Sequence, residues 1–274
     1  MPKIRLDVLL MERGLAESRA KAHALVMAGQ VRVNDQIALK PATAVDTKST
    51  LTVDHGPRFV SRGGEKLDAA LEAFAIDVRG LVCADVGSST GGFTDCMLQR
   101  GAERVYAIDV GKGILHWKLR NYARVIVMEE TNARHVESLP EEVSFVTIDA
   151  SFISLKILLP VVKKWFDFSP PTSHSEEVKS KKGEVLALIK PQFEAGKKDV
   201  ARGDGVIRDP EIHKQILLNV LSFAKNADFS LRGLIKSPLL GPKGNAEFLV
   251  WLDFGFPSLS AEELVMRVIK EEDQ

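Results

Sequence analysis

Apolar positions recur along the chain in two rhythms. In the first sixty residues Leu6, Leu9 and Leu10 fall at helical spacing and stop at Gly14. Ser18 then reads as an N-cap, with Ala22, Leu25 and Val26 as the buried stripe of a second helix ending at Gly29. Alternation in Val31-Arg32-Val33, the turn pair Asn34-Asp35 and the strand pattern Leu51-Thr52-Val53 complete a small αα-β unit. Beyond it the pattern changes. Seven apolar runs, at 81–84, 105–108, 125–128, 143–148, 185–189, 231–235 and 248–252, read as strands. Helical stripes lie between them, such as Leu67, Ala70, Leu71, Phe74 before the first and Ile212, Ile216, Leu217, Val220, Leu221 before the sixth. That alternation predicts an α/β fold with a mostly parallel sheet and helices on both faces.

The change of rhythm sets the domain boundaries. Gly56-Pro57 and Gly63-Gly64 bracket Arg58-Phe59-Val60-Ser61-Arg62, so the chain reads as a domain over 1–55, a linker over 56–63 and a second domain over 64–274. Residues 167–183, with Ser169-Pro170-Pro171-Thr172-Ser173-His174-Ser175 and then Lys179, Lys181 and Lys182, form a polar insertion expected to be a mobile surface loop. The stretch from Gly196 to Asp209 reads as a substrate loop.

Composition adds one asymmetry. The 37 basic and 37 acidic residues cancel, but residues 1–62 hold ten Lys/Arg against six Asp/Glu. A basic front suggests a polyanionic partner. Arg19 and Lys21 sit in the first turn of the second helix, where the macrodipole disfavours cations, which makes sense if a phosphate belongs there. Lys3, Arg5, Arg13 and Arg32 can share that face. A solvated charged surface accounts equally well for any one of these side chains. Cys83 and Cys96 occupy apolar pattern positions, which suits reduced thiols in a cytoplasmic protein and no metal site. No apolar signal core or run of about 18 apolar residues occurs, so neither secretion nor a membrane span is expected.

The chemistry gathers around Asp85-Val86-Gly87-Ser88-Ser89-Thr90-Gly91-Gly92-Phe93, a strand, glycine loop and helix start. Glycines admit close backbone approach, and the free amides of the helix start attract negative charge. The spacing is not the dinucleotide fingerprint, and an acid at the strand end suits a zwitterion whose amino group Asp85 can meet; S-adenosylmethionine is such a ligand. An ordinary strand–helix turn with an Asp cap satisfies the same pattern. Asp109 ends the next strand, where an acid can accept from ribose hydroxyls, and Asn132 follows the third. Asp149 and Lys190 end the fourth and fifth strands on the ligand side. Lys66 begins the helix that opens the second domain, and Glu247 follows the turn over 241–245. Two lysines and two acids can position and deprotonate a ribose hydroxyl for methyl transfer, or form a structural ion-pair cluster.

The sequence resembles two known families. Arg5-Leu6-Asp7, Gly14-Leu15-Ala16, Ser18-Arg19, Ala22, Gly29, Val31-Arg32-Val33-Asn34 and Leu51-Thr52-Val53 resemble the S-four RNA-binding domain. Val60 to Leu67, Asp85 to Asp95, Ile148 to Leu155, Ile189 to Glu194, Val206 to Pro210 and Gly244 to Leu249 resemble the TlyA-type family, whose members include proteins labelled haemolysins. That family comprises ribosomal-RNA 2'-O-methyltransferases with a Rossmann-like, FtsJ-like catalytic domain. The resemblance implies methylation of cytidine ribose in 23S rRNA, and in some members 16S rRNA, with no membrane and no obligate protein partner. It implies a catalytic set of Lys66, Asp149, Lys190 and Glu247. It also implies an S-adenosylmethionine site made by Asp85, Gly87, Ser88, Ser89, Thr90, Gly91, Gly92, Phe93, Asp109, Asn132 and Asp149. Lys3, Arg5, Arg13, Arg19, Lys21, Arg32 and Arg62 would then contact RNA. A membrane-active haemolysin and a non-catalytic RNA-binding assembly factor are the alternatives.

Overall fold

The computed structural model describes residues 2–54, 56–166, 183–195 and 205–272. Residues 167–182 of the insertion expected at 167–183, and residues 196–204 of the substrate loop expected from Gly196 to Asp209, lie outside the described residues. The chain divides into two compact units, Met1–Arg58 and Phe59–Gln274. Residues 59–63 belong to the second unit. Phe59 is buried in its core, and the Val60 N–H donates to Asp95 at 2.9 Å.

The first unit has α1 (Leu6–Glu12) and α2 (Arg19–Met27), with Ser18 capping α2 through the Lys21 N–H at 3.2 Å. Strand β1 (Lys3–Arg5) pairs antiparallel with β4 (Ala44–Asp46), and β2 (Val31–Val33) lies between β3 (Gln36–Ile37) and β5 (Leu51–Val53). Strands β1, β3 and β4 have no counterpart in the elements read from the sequence, whereas β2 and β5 do. Leu6, Leu9, Leu10, Ala22, Leu25 and Val26 fill the core, as the helical spacing requires.

Asp7 is the polar exception there. It is buried and accepts from Arg5 at 2.8 Å and Arg19 at 3.1 Å, and the Arg5 hydrogen bond first, then Arg19, holds its carboxyl far below the usual range. A depressed carboxyl contributes stability that is complete above the unfolded value, about 3.9, and is lost as pH falls below it. Asp7→Asn is therefore expected to loosen this unit at neutral pH and to remove its share of acid sensitivity. Amide exchange protection in α1 and α2 at pH 7 and at about pH 2.5, inside the window below the unfolded value, measures both.

The second unit is a seven-stranded sheet ordered β11-β12-β10-β9-β6-β7-β8. Its strands are β6 (Val82–Val86), β7 (Arg104–Ile108), β8 (Val125–Met128), β9 (Phe145–Ile148), β10 (Glu184–Ile189), β11 (Ser230–Lys236) and β12 (Phe248–Asp253). All adjacent pairs are parallel except those made by β12, which runs antiparallel to both neighbours. Helices α3 (Gly63–Ala73), α4 (Gly92–Gln99), α6 (Leu155–Val162), α8 (Pro210–Asn226) and α9 (Ala261–Glu272) accompany it. Short helices α5 (Trp117–Arg120) and α7 (Pro191–Glu194) lie in the connections. Two hydrophobic clusters pack on the sheet, one with α6, α8 and α9 and the other with α3 and α4.

This topology collects the chemistry. From β6 the chain proceeds outward through β7 and β8, then returns to β6's other side as β9 and β10. The carboxyl ends of β6 and β9 thus flank a switch point, where open α/β sheets bind ligands. Because β12 runs the opposite way, the residue before it reaches that same edge. Ile189 pairs with Phe248, so Lys190 and Glu247 meet though 57 positions separate them in the sequence.

Candidate active site

Two cavities open along this edge. The larger, about 590 Å³, is lined by Gly87, Ser89, Asp109, Asn132 and Asp149, among others. The smaller, about 280 Å³, is lined by Arg62, Lys66, Ser88, Thr90, Gly92, Phe93, Lys190 and Glu247, and shares Gly87, Ser89 and Asp149 with the larger. The sequence-derived cofactor set therefore splits. Ser88, Thr90, Gly92 and Phe93 face the smaller cavity only, and Asp85 and Gly91 line neither.

Asp85 is inside β6, not at its mouth. It is fully buried, accepting from Thr94 Oγ1 at 2.6 Å and Thr147 Oγ1 at 2.9 Å. Direct contact with a ligand's amino group is not its role in this geometry; it braces the loop from below. Burial pushes its carboxyl up to about 6, the two threonine bonds oppose that, and the charge of Asp149 adds to it. For an acid raised by folding, the protonated form favours the native state, so stability falls as pH rises from about 3.9 through that value. Asp85→Asn is thus expected to raise the melting temperature more at pH 7.5 than at pH 5, as thermal unfolding at the two pH values will report.

The glycine loop is shaped by close approach. Gly87 has φ +82°, and a Cβ there would lie 2.8 Å from the Asp149 carbonyl oxygen. Gly91 has φ +96°, and its Cβ would strike the Leu119 and Leu115 side chains. Asp109 accepts from Ser89 N–H at 2.8 Å and Gly111 N–H at 2.7 Å, tying the loop to the end of β7. Asn132 takes its own neighbour, accepting from the Arg134 N–H at 3.1 Å.

The two lysines and two acids come together as two ion pairs. Lys66 Nζ meets Glu247 Oε2 at 2.5 Å, and Lys190 Nζ meets Asp149 Oδ1 at 2.6 Å. Lys190 also donates to Ser151 Oγ at 3.0 Å and the Asp149 carbonyl at 3.3 Å. Lys66, Lys190 and Glu247 are buried, and one oxygen each of Asp149 and Glu247, Oδ1 and Oε1, has no hydrogen-bond partner. Asp149 Oδ1 is taken up instead by the Lys190 charge in the ion pair. Glu247, whose side chain lines the smaller cavity, thus keeps one buried acceptor oxygen without a hydrogen-bond partner. Glu247 is fixed by its turn: a Cβ on Gly241 would lie 2.1 Å from Glu247 Oε1, and Asn245 bonds Ile207 N–H at 3.1 Å and the Gly205 carbonyl at 3.1 Å. Glu194 in α7 joins the strand ends by accepting from Ser154 Oγ and Leu155 N–H, both at 2.6 Å.

Sequence reasoning gave no role to Ser151, Phe152, Phe193, Thr94 or Thr147. Thr147 had a signal, being a hydroxyl two positions before Asp149 inside an apolar run. Phe152 is 90% exposed with φ 62°, and its ring lies 4.9 Å from that of Phe193, beside Lys190. An aromatic ring held open to water at a cavity mouth is a recognition feature.

The basic set is more divided. Arg5 and Arg19 are committed to Asp7, Arg13 donates to the Ser49 and Thr47 carbonyls, and Arg32 donates to the Asp35 carbonyl. Lys3 and Lys21 are exposed and make no ion pair among the described residues. Arg62 lines the smaller cavity of the second unit.

Comparison with known proteins agrees with this architecture. The FtsJ-like methyltransferase family model matches residues 59–254 and the S4 domain model residues 4–51. The 16S/23S rRNA (cytidine-2'-O)-methyltransferase TlyA of Mycobacterium tuberculosis is 43% identical over 98% of this chain and 98% of its own. Hemolysin A of Brachyspira hyodysenteriae is 39% identical over 90% of this chain and 98% of its own. A solved structure, a candidate haemolysin from Streptococcus thermophilus, is 41% identical, covers 100% of this chain and 98% of that one, and has a TM-score of 0.69. Among the described residues no helix is long and apolar enough to cross a membrane.

Proposed function

The chain belongs to the FtsJ-like methyltransferase family and carries an S4 domain ahead of the catalytic one, and from that premise we propose that it methylates the ribose 2'-hydroxyl of cytidine in 23S rRNA, with 16S rRNA as a second substrate. S-adenosylmethionine is the donor, and the reaction takes place in the cytoplasm. One observation carries the reading: two ion pairs, one of them fully buried, line a cavity that shares Gly87, Ser89 and Asp149 with a second, larger one. A donor and an acceptor that must meet at one point need adjoining sites of this kind.

The residues present fit the donor. Gly87 leaves the loop backbone bare where it packs on the Asp149 backbone, making a cradle wall that both cavities share, and Asp109 offers carboxylate lone pairs to the larger one. When bound, S-adenosylmethionine supplies a methyl group already activated by its sulfonium charge. Gly87, Ser89, Asp109, Asn132 and Asp149 would hold it in the larger cavity.

The smaller cavity takes the ribose. Lys190 is the base: in its neutral form the amine takes the proton of the 2'-hydroxyl, and Asp149, 2.6 Å away, holds it in place. Ser151 keeps the amine aimed. Lys66, held by Glu247, donates to the ribose and stabilises charge that develops on the oxygen. Phe152, on the wall of the larger cavity, offers an exposed aromatic face to what binds there. The first unit, through Lys3, Lys21 and the arginines around them, meets phosphate and sets which RNA is bound.

The test uses methyl-labelled donor with isolated 23S rRNA, 16S rRNA and the assembled ribosomal subunits, followed by mapping of ribose methylation. Label at a cytidine 2'-oxygen is expected. Folded protein that labels none of the four substrates ends the proposal.

A further inference from the structure

We propose that the exposed indole of Trp117 is a stacking platform for an unpaired base of the RNA strand that carries the acceptor nucleotide. The inference rests on the methyltransferase reading above and adds to it a second contact surface on the catalytic unit.

The three tryptophans of the chain are used differently. Trp165 is buried and donates its indole N–H to the Val136 carbonyl at 2.8 Å. Trp251 donates to Glu184 at 2.8 Å and packs against Phe74 with centroids 5.7 Å apart. Trp117 is 66% exposed, its indole N–H has no partner among the described residues, and its only ring neighbour there is His116 at 5.8 Å. A single exposed apolar side chain is common in folded proteins, so what marks Trp117 is its place and its neighbours.

Its location ties it to the acceptor cavity. The His116 N–H donates to the Thr90 carbonyl at 3.1 Å, and Leu115 and Leu119 close against Gly91. Thr90 lines the smaller cavity. The turn that carries Trp117 is therefore bonded to the loop that forms the acceptor wall.

Its surroundings select the occupant. Residues 116–124 hold three Lys/Arg and no Asp/Glu. Arg120 is neutralised by Glu129, but Lys118 is exposed without a carboxylate partner among the described residues, and Arg124 lies 5.1 Å over the half-exposed Tyr122 ring. Cations interleaved with aromatic faces, with Glu129 already taken up by Arg120, fit a single-stranded nucleic acid: stacking takes the base and the cations take the backbone. A second copy of this chain would set cation against cation.

Intrinsic fluorescence of the full chain, titrated with single-stranded oligocytidylate RNA and with duplex RNA, tests this directly. Single-stranded RNA is expected to quench emission, with the quench missing in Trp117→Phe. Trp117→Ala is expected to weaken single-stranded RNA binding about tenfold and raise KM for rRNA, with melting temperature and cofactor affinity unchanged. Unaltered RNA affinity and KM in Trp117→Ala overturn the proposal. So does a loss confined to cofactor binding, or a change in self-association in place of RNA binding. The quench is also measured in Lys190→Ala. RNA binding through Trp117 by a wild-type protein that transfers no methyl group removes the reaction and leaves this surface standing. Methyl transfer with no dependence on Trp117 removes the surface and leaves the reaction.

Discussion

Lys190→Ala is expected to lower methyl transfer about a thousandfold, the middle of the range for loss of a positioned acid–base group. Cofactor affinity should stay nearly intact, because Lys190 lines the smaller cavity and not the larger. Removing one member of a buried ion pair also leaves the other uncompensated, at roughly 3–5 kcal/mol for a fully buried case. Asp149 is only partly buried, so the cost here should be smaller, and a melting curve separates lost stability from lost chemistry. Lys190→Arg sharpens the result. Arginine keeps the positive charge beside Asp149 but does not give up a proton near neutral pH. An inactive Lys190→Arg protein that still binds cofactor and RNA assigns proton transfer to the lysine; an active one reduces Lys190 to a fixed charge. Single-turnover rates with saturating cofactor and rRNA distinguish the two.

Gly87→Ala is expected to abolish cofactor binding and activity together. Two costs combine at this position. An alanine at φ +82° is strained, on the order of 1 kcal/mol or more. Its Cβ would also sit 2.8 Å from the Asp149 carbonyl oxygen and 2.9 Å from its carbonyl carbon, which are backbone atoms of a central strand's end and cannot turn aside. Relief requires β6 and β9 to separate where Asp149 serves both cavities. Gly91→Ala makes a useful contrast. Its φ of +96° is as unfavourable, but the Cβ meets the ends of the Leu119 and Leu115 side chains, which can change rotamer. Gly91→Ala should therefore lose less cofactor affinity than Gly87→Ala, and neither should change which RNA is bound. Calorimetric titration of S-adenosylmethionine against each variant gives the order; equal affinities for Gly87→Ala and wild type would remove the cradle from the argument.

The elements were legible where periodicity is strong. Each of the seven apolar runs of the catalytic unit became a strand within a few residues of its expected ends, because a strand buried on both faces must be continuously apolar. Helices α1 and α2 followed from leucine spacing and the Ser18 cap. Gly63-Gly64 was misleading as a linker signal. These residues open α3, and Gly64 lacks a side chain because the Phe59 ring takes that space, a Cβ being only 2.3 Å from the ring. A glycine conserving room and a glycine making a turn look alike in sequence.

The candidate site was legible as a set of residues and not as an arrangement. Lys66, Asp149, Lys190 and Glu247 could be named from strand ends and from the resemblance of their surroundings, but their pairing as Lys66–Glu247 and Lys190–Asp149 could not. Asp85 illustrates the same limit. Its place in the sequence suggested a ligand contact, whereas the parallel register that sets Asp85 beside Thr147 turned it inward to a buried hydroxyl pair.

By itself, the sequence determined the two-part organisation, the α/β class, the glycine loop and the identity of the groups able to move a proton, since these depend on local periodicity, backbone freedom and side-chain chemistry. The tertiary structure alone decided which acid meets which lysine, which loop residues face which cavity, and that Trp117 stands open beside the loop carrying Thr90. Those outcomes depend on strand order and direction, and above all on the reversed β12, which brings together at one sheet edge residues that the chain keeps far apart.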